Sequence, residues 1–280
     1  MPESQSLFTL GRPIDLNYPS NAFIFGFSFA SFIGFGIAAY FGGVSVLQSL
    51  AFGARSFLSV FLAWALGREI DPDRPTTAGL AAVGQVIVIW FIDVPSLFLS
   101  FWALFTLRVL SRTTGLKSGI LDTVLVTGIS AWLGYQLSWV IAGAGAVVFL
   151  ADGIMESPNR KHLVPGVLLF GEAIYLLVTE PYIWRDFVNY PVKFGLVIGV
   201  SLVFLSAIYA NKRVSSVADE TGKRLSVRRV QLTQLVAVIV ALLFPLWAGV
   251  HGFHQSATLW SVLGASSLVH VARTLALSLG

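Results

Sequence analysis

The sequence predicts an all-α integral membrane protein, a polytopic bundle of about ten transmembrane helices with both termini cytoplasmic. Three observations carry this. Of 280 residues, 56% are hydrophobic and only 11% charged, whereas soluble domains average about 25% charged residues. Ten apolar segments, each bounded by turn or charge signals, run over 22–41, 44–66, 77–92, 95–110, 119–135, 138–151, 163–179, 191–210, 230–250 and 256–276. With ten crossings, fifteen of the 18 Lys and Arg residues fall on one side and only Arg185 and Lys193 on the other, while Arg55 lies within the membrane. A positive-inside bias of this kind marks the cytoplasmic side.

Residues 1–21 form a polar cytoplasmic segment, and 22–280 a single transmembrane helical domain. The segment has no positive n-region feeding an apolar core, so no cleavable signal peptide is expected and the first helix stays as an anchor. Ala30 and Gly34, four apart, offer the first helix a small-residue face, as AGAGA at 142–146 does for the sixth. Several middle segments have 14 to 17 residues, short of the roughly 20 of a spanning helix, so they extend into their charged loops or cross with little tilt. The pair 119–135 and 138–151 divides near Gln136. Merging the two would carry the cytoplasmic basic residues from Arg160 to Arg273 to the outside, so charge requires two helices. Pro245 predicts a kink in the ninth helix and a freed carbonyl near Ala241. Tyr182, Trp184 and Tyr190, in the outer loop, suit an interfacial aromatic belt.

The longest cytoplasmic loop, 211–229, sets six basic residues against Asp219 and Glu220, a net of +4. Such a segment is drawn to anionic lipid by about 1 kcal/mol per basic residue near the surface, and the same charges fix topology. Membrane lipids are therefore the expected partners, anionic ones at this loop. Nucleic acid is not expected, because the basic residues follow the topology. The absence of cysteine excludes disulfides, thiolate metal sites and a cysteine nucleophile. With no P-loop, dinucleotide fingerprint, HExxH or GxSxG, the sequence names neither a cofactor nor a protein partner.

Chemistry is suggested first by depth. Arg55, Gln85 and Glu172 fall near the centres of the second, third and seventh helices. A guanidinium there costs at least about 2.5–3.5 kcal/mol, so Arg55 is expected to pair with Glu172. The three form a candidate polar centre that binds a substrate or carries a proton; the alternative is an ion pair that locks the bundle.

A second candidate lies at the cytoplasmic end, where Glu69, Asp71 and Asp73 close the second helix and Arg68, Arg74, Arg108, Arg112 and Asp122 share the same side. Carboxylates one residue apart can hold Mg²⁺ and through it a phosphate, so Arg68, Asp71, Asp73, Arg108, Arg112 and Asp122 make a possible anion or metal site. The alternative is a turn: Pro72 and Pro75 enforce one, and Asp73 with Thr76 or Thr77 would cap the third helix. His270, near Ser266 and Ser267, is a possible proton relay. His162, beside two basic residues, reads as a solvated loop residue. His251 and His254, three apart without a carboxylate, do not make a metal site.

Ten helices in a chain of this length, with an arginine in the second (Arg55 in AFGARSFLSVFLAWAL), resemble the drug/metabolite transporter superfamily in size. The fourth helix lacks the proline and following glutamate turn that the resemblance implies, and no five-helix inverted repeat is visible. No residue role is carried over. The leading expectation is a transporter-like bundle for a small solute. The alternatives are a membrane-embedded enzyme acting on a phosphate-bearing lipid or isoprenoid at the cytoplasmic face, and a non-catalytic subunit or scaffold of a membrane complex.

Reporter fusions test the topology. Those after Lys117, Arg160 and Arg224 should report cytoplasm and one after Asp186 outside; an outside signal at Arg224 with an inside signal at Lys117 would mean that 119–151 crosses once.

Overall fold

Proline and serine place many of the helix starts. A computed structural model describes residues 8–12, 14–179 and 189–279. Among them are ten α-helices: α1 Pro19–Phe41, α2 Val46–Ile70, α3 Pro75–Phe91, α4 Leu97–Ser111, α5 Ile120–Leu137, α6 Trp139–Ile154, α7 Leu163–Thr179, α8 Pro191–Ala210, α9 Val227–Gln255 and α10 Ala257–Leu279. α1, α3 and α8 open on proline, whose fixed φ suits the first helical position and whose missing N–H is not needed there. Ser45, Ser96 and Ser138 cap α2, α4 and α6 by accepting from the N–H groups of Gln48, Leu99 and Val140.

Six helices (α1, α2, α5, α8, α9, and α7 with the preceding 3₁₀ turn) are long and apolar enough to cross a membrane, while α3, α4 and α6 are shorter apolar helices. The radial pattern suits lipid. Phe25, Phe29, Ile33 and Ile37 on α1, and Val167, Leu168 and Phe170 on α7, are exposed. Ser28, Ser56, Ser59, Gln85 and Thr233 are fully buried. Lipid tails are as apolar as leucine, so hydrocarbon outside costs nothing there, and of the buried hydroxyls Ser59 bonds across helices, to Gln85.

α2 packs on α1, α3, α4 and α10, while α6 packs on α5, α7, α4 and α9. α4 and α9 thus join two groups of helices, and α8 lies against α9 and α10. The chain breaks at Ser138, extended at φ −177° and ψ 146°, so 119–151 is two helices. They run antiparallel: a Cβ on Gly134 would lie 2.7 Å from Ala142 Cβ, and one on Gly145 2.8 Å from Ser130 Oγ. The AGAGA stretch therefore makes the close contact expected of it. Ala30 and Gly34 do not, since both are exposed and Gly34 has nothing within reach of a Cβ. α1 approaches α2 instead at Phe32, whose carbonyl oxygen leaves only 2.6 Å for a Cβ on Gly53.

The break in α9 also differs from expectation. Helical geometry fails at Gly249 (φ 66°, ψ −148°), four residues after Pro245. Only glycine adopts that conformation at little cost, so the glycine takes the bend that the proline was expected to cause. Of the expected aromatic belt, Tyr190 is exposed; Tyr182 and Trp184 lie outside the described residues.

A Cβ on Gly67 would sit 2.7 Å from the Ala78 Cα, which is backbone and cannot turn aside. Gly67→Ala should push α2 from α3 and lower the melting temperature of the purified protein, at about 1–3 kcal/mol. Gly79→Ala, with nothing within 4 Å, should be neutral or slightly stabilising in the same thermal scan.

Candidate functional site at the basic end of the bundle

Two carboxylates that end helices organise this end. Glu69 lies in the last turn of α2 and Asp152 in the last turn of α6. A carboxylate there faces the negative end of the helix dipole, so each needs cations from elsewhere in the chain. Both are fully buried.

Glu69 Oε1 accepts from Arg108 Nε at 2.8 Å and lies 3.5 Å from Arg12, while its Oε2 accepts from the hydroxyls of Ser111 (3.2 Å) and Thr113. Arg108 also donates to the Leu10 carbonyl at 2.7 Å, which draws residues 8–12 across the bundle end. Asp122 holds the same strap, accepting from the Thr9 N–H (2.9 Å), the Thr9 hydroxyl (2.6 Å) and the Gly119 N–H (3.1 Å) at the start of α5.

Asp152 Oδ1 lies 2.7 Å from Arg112 and 2.6 Å from Arg229, and its Oδ2 lies 2.9 Å from His162 Nδ1. Arg229 also donates to the carbonyls of Leu110 (3.0 Å) and Glu156 (2.7 Å), and Arg112 to that of Ser157 (2.9 Å). Burial lowers the Arg112 pKa, against the raising effect of Asp152. His162 is fully buried, edge-on to Phe149 at 4.8 Å between ring centroids. It is therefore not the solvated loop residue expected. Its Nε2 lies about 3 Å from Ser118 Oγ, Thr123 Oγ1 and Asn159 Nδ2. With Nδ1 toward the carboxylate, Nε2 is placed to accept from one of these groups, Ser118 or Asn159, since the Thr123 hydroxyl donates to the Gly119 carbonyl.

Ser118, His162 and Asp152 follow the order of a nucleophile, base and carboxylate. Both Asp152 oxygens are engaged, His162 is fully enclosed, and the Gly119 N–H beside Ser118 is taken by Asp122 and Thr9. The geometry is that of a loop fastening.

The two aspartates around Pro72 diverge. Asp71 accepts from the Thr77 hydroxyl at 2.7 Å and from Arg74 at 3.3 Å, so it, not Asp73, braces the start of α3. Asp73 reaches the long loop, accepting from the Ser215 N–H (2.9 Å), the Ser216 N–H (2.7 Å) and the Ser216 hydroxyl (2.6 Å). Among the described residues no three His, Asp or Glu side chains are grouped to hold a metal ion.

Burial pushes the Asp71 carboxyl above the usual range, only partly offset by Thr77 and Arg74. Burial acts upward on Asp73 too, but the donors from Ser216 and Ser215 outweigh it and hold the group low. A depressed carboxylate contributes stability above the ordinary range and loses it as the pH falls through its folded value. The Asp73 clasp is therefore in force at neutral pH. Asp71 works oppositely: its contribution is greatest in acid and fades as the pH rises through its raised value.

The predicted site residues thus go to separate places: Arg108 to Glu69, Arg112 to Asp152, Asp122 to Thr9, Asp73 to the loop, and Arg68, half-buried, over the Trp64 ring at 6.0 Å. At mid-bundle Arg55 is exposed and forms no ion pair among the described residues, while Glu172 is half-buried against Gly134 of α5. They sit in different helix groups, which keeps them apart. Gln85 is fully buried, donating at 2.8 Å to Ser59 Oγ, one turn along α2 from Arg55, and accepting from Ser261 of α10 at 2.9 Å. His270 is half-buried on α10, two helical turns short of Leu277. His254 lies 3.2 Å from the Lys193 amine.

Lys212, Arg213, Arg224, Arg74 and Arg273 line a cleft of about 630 Å³ beside the Asp73 clasp, at the ends of α8 and α10. Sequence reading missed the roles of Glu69 and Asp152; the signal available was a carboxylate in a helix's last turn.

The fold defines an all-α, membrane-like bundle. The chain matches no family model, and neither a curated protein nor a solved structure is significantly similar to it.

Removing Asp152 strands two arginines, both with side chains at most 11% exposed. Asp152→Ala should cost about 3–5 kcal/mol and loosen both the 155–162 and 111–118 loops. Removing the exposed Glu156 carboxylate, 3.7 Å from Arg228, should cost at most about 1 kcal/mol. Thermal unfolding in detergent checks both.

Proposed function

We propose that this protein crosses the membrane about ten times with its basic end in the cytoplasm, and that it binds there the headgroup of a phosphate-bearing amphiphile. One observation carries the reading: five cationic side chains converge on one cleft where only Asp73 carries negative charge. That carboxylate is already engaged by the loop it clasps. Lys212, Arg213, Arg224 and Arg273 are exposed and form no ion pair among the described residues. Their convergence at one membrane boundary suits an amphiphile with its tail in lipid and its charge at the surface. Such a protein is either an enzyme on, or a carrier of, that amphiphile.

A second reading, a transporter for a small solute, keeps the interior as the site. It is favoured by Gln85, bridged to Ser59 and Ser261 where α2, α3 and α10 meet. A cavity lined by Trp102, Thr106, Val240 and Leu259 is about 10 Å³, room for at most one water, and is not that site.

Protein in phosphatidylcholine nanodiscs doped with anionic lipid should retain the anionic lipid, read by native mass spectrometry. Arg213→Gln with Arg273→Gln should weaken retention about 30-fold, at about 1 kcal/mol per charge. Gln85→Leu should leave it unchanged. Retention indifferent to the arginine changes but abolished by Gln85→Leu would reverse the two readings.

A further inference from the structure

We infer that the cleft selects a phosphate group carrying two or more negative charges, a phosphomonoester or diphosphate, over the singly charged phosphodiester of bulk anionic lipids. This rests on the headgroup reading above and adds the ligand's charge state. The argument begins with charge balance. Arg74, Lys212, Arg213, Arg224 and Arg273 oppose only Asp73 along the cleft wall, a net of +4. Counting Asp71, which lies 3.3 Å from Arg74 behind the wall, the net is +3. A phosphodiester would leave most of that charge uncompensated, whereas a phosphomonoester carries about −1.5 to −2 at neutral pH and a diphosphate more.

Donor geometry points the same way. The Arg74 side chain is 20% exposed and lines the cleft. Arg74 is also held in place: its NH1 bonds Asp71, which is fixed by Thr77, while Pro75 follows it. A guanidinium so positioned offers directed hydrogen bonds and not merely diffuse attraction. The opposite wall is equally fixed, because the Asp73 clasp on Ser215 and Ser216 sets where Lys212 and Arg213 begin. The cleft therefore has walls anchored by hydrogen bonds and exposed cationic tips, and it is large enough for a headgroup beyond a single phosphate.

The test uses the full chain in phosphatidylcholine nanodiscs containing either phosphatidate or phosphatidylglycerol, with total lipid charge matched. Inorganic pyrophosphate is added as a soluble competitor. Phosphatidate should be retained at least fivefold more strongly than phosphatidylglycerol by native mass spectrometry. Arg224→Gln should cut that retention about fivefold, while Arg228→Gln should not, since Arg228 is 80% exposed and pairs with Glu156 away from the cleft. Displacement of phosphatidate by pyrophosphate would show that the phosphate group alone suffices and that a soluble ligand can be the source. Phosphatidate binding that pyrophosphate does not displace would assign the site to a lipid-borne phosphate. Equal retention of the two lipids, with Arg224→Gln weakening both, would overturn the charge-state inference but leave the headgroup reading standing. Retention of neither lipid above phosphatidylcholine background would overturn both. Equal losses in Arg224→Gln and Arg228→Gln would show diffuse attraction and overturn the inference.

Discussion

Two buried carboxylates at the ends of helices set the terms for the rest of this molecule. Glu69 and Asp152 each place a negative charge where the helix dipole is already negative, out of contact with water. Neither position is tolerable alone, because an ionised group without partners loses several kcal/mol of solvation. The cations that answer them come from far along the chain. Arg108 and Arg12 reach Glu69, and Arg112 and Arg229 reach Asp152. Satisfying two side chains therefore ties the N-terminal strap, α4, α9 and three loops into one layer. The spare donors of the arginines are spent on backbone carbonyls of Leu10, Leu110, Glu156 and Ser157, which makes the layer a frame for the loops as well as a set of ion pairs.

That frame divides the basic residues by job. Arg108, Arg112 and Arg229 are consumed inside it, with side chains no more than 11% exposed. Lys212, Arg213, Arg224 and Arg273 are left over, exposed and collected around one cleft. A surplus of charge held by a rigid support is the physical condition for binding an anion. Along the membrane-spanning part the balance is different. Hydroxyls at Ser28, Ser56, Ser59 and Thr233 are turned inward, and Phe25 and Phe29 of α1 outward; these buried polar groups are of the small, neutral kind that hydrocarbon surroundings permit.

The positions of the helices were legible in the sequence to within a few residues. Apolar runs bounded by Pro, Ser and charge report local physics, and the division at Ser138 could be inferred because charge on later loops would otherwise fall on the wrong side. Closer detail was less accessible. Ala30 and Gly34 have the spacing of a packing face but lie on the outside, while Gly53 makes the approach. Spacing gives a face its shape, and only the neighbouring helix decides which face is used. Pro245 was the expected disturbance, yet the backbone departs from helix at Gly249 because only glycine takes a positive φ at little cost.

By itself the sequence determined an all-helical chain of membrane composition, and with it the presence of an excess of cations. The tertiary structure decided which charges meet. Arg55 and Glu172 share a rough depth in the chain's order, but α2 and α7 belong to different helix groups, so Gln85 instead joins Ser59 and Ser261. Asp71 and Asp73, two residues apart, serve different partners because one faces α3 and the other the 211–216 segment. His162 read as a solvated loop residue and proved to be buried beside Asp152. Helix formation depends on residues a few positions apart, which a sequence displays directly. An ion pair depends on the packing angle and rotation of whole helices, set by many side chains at once, and for that the assembled bundle is required.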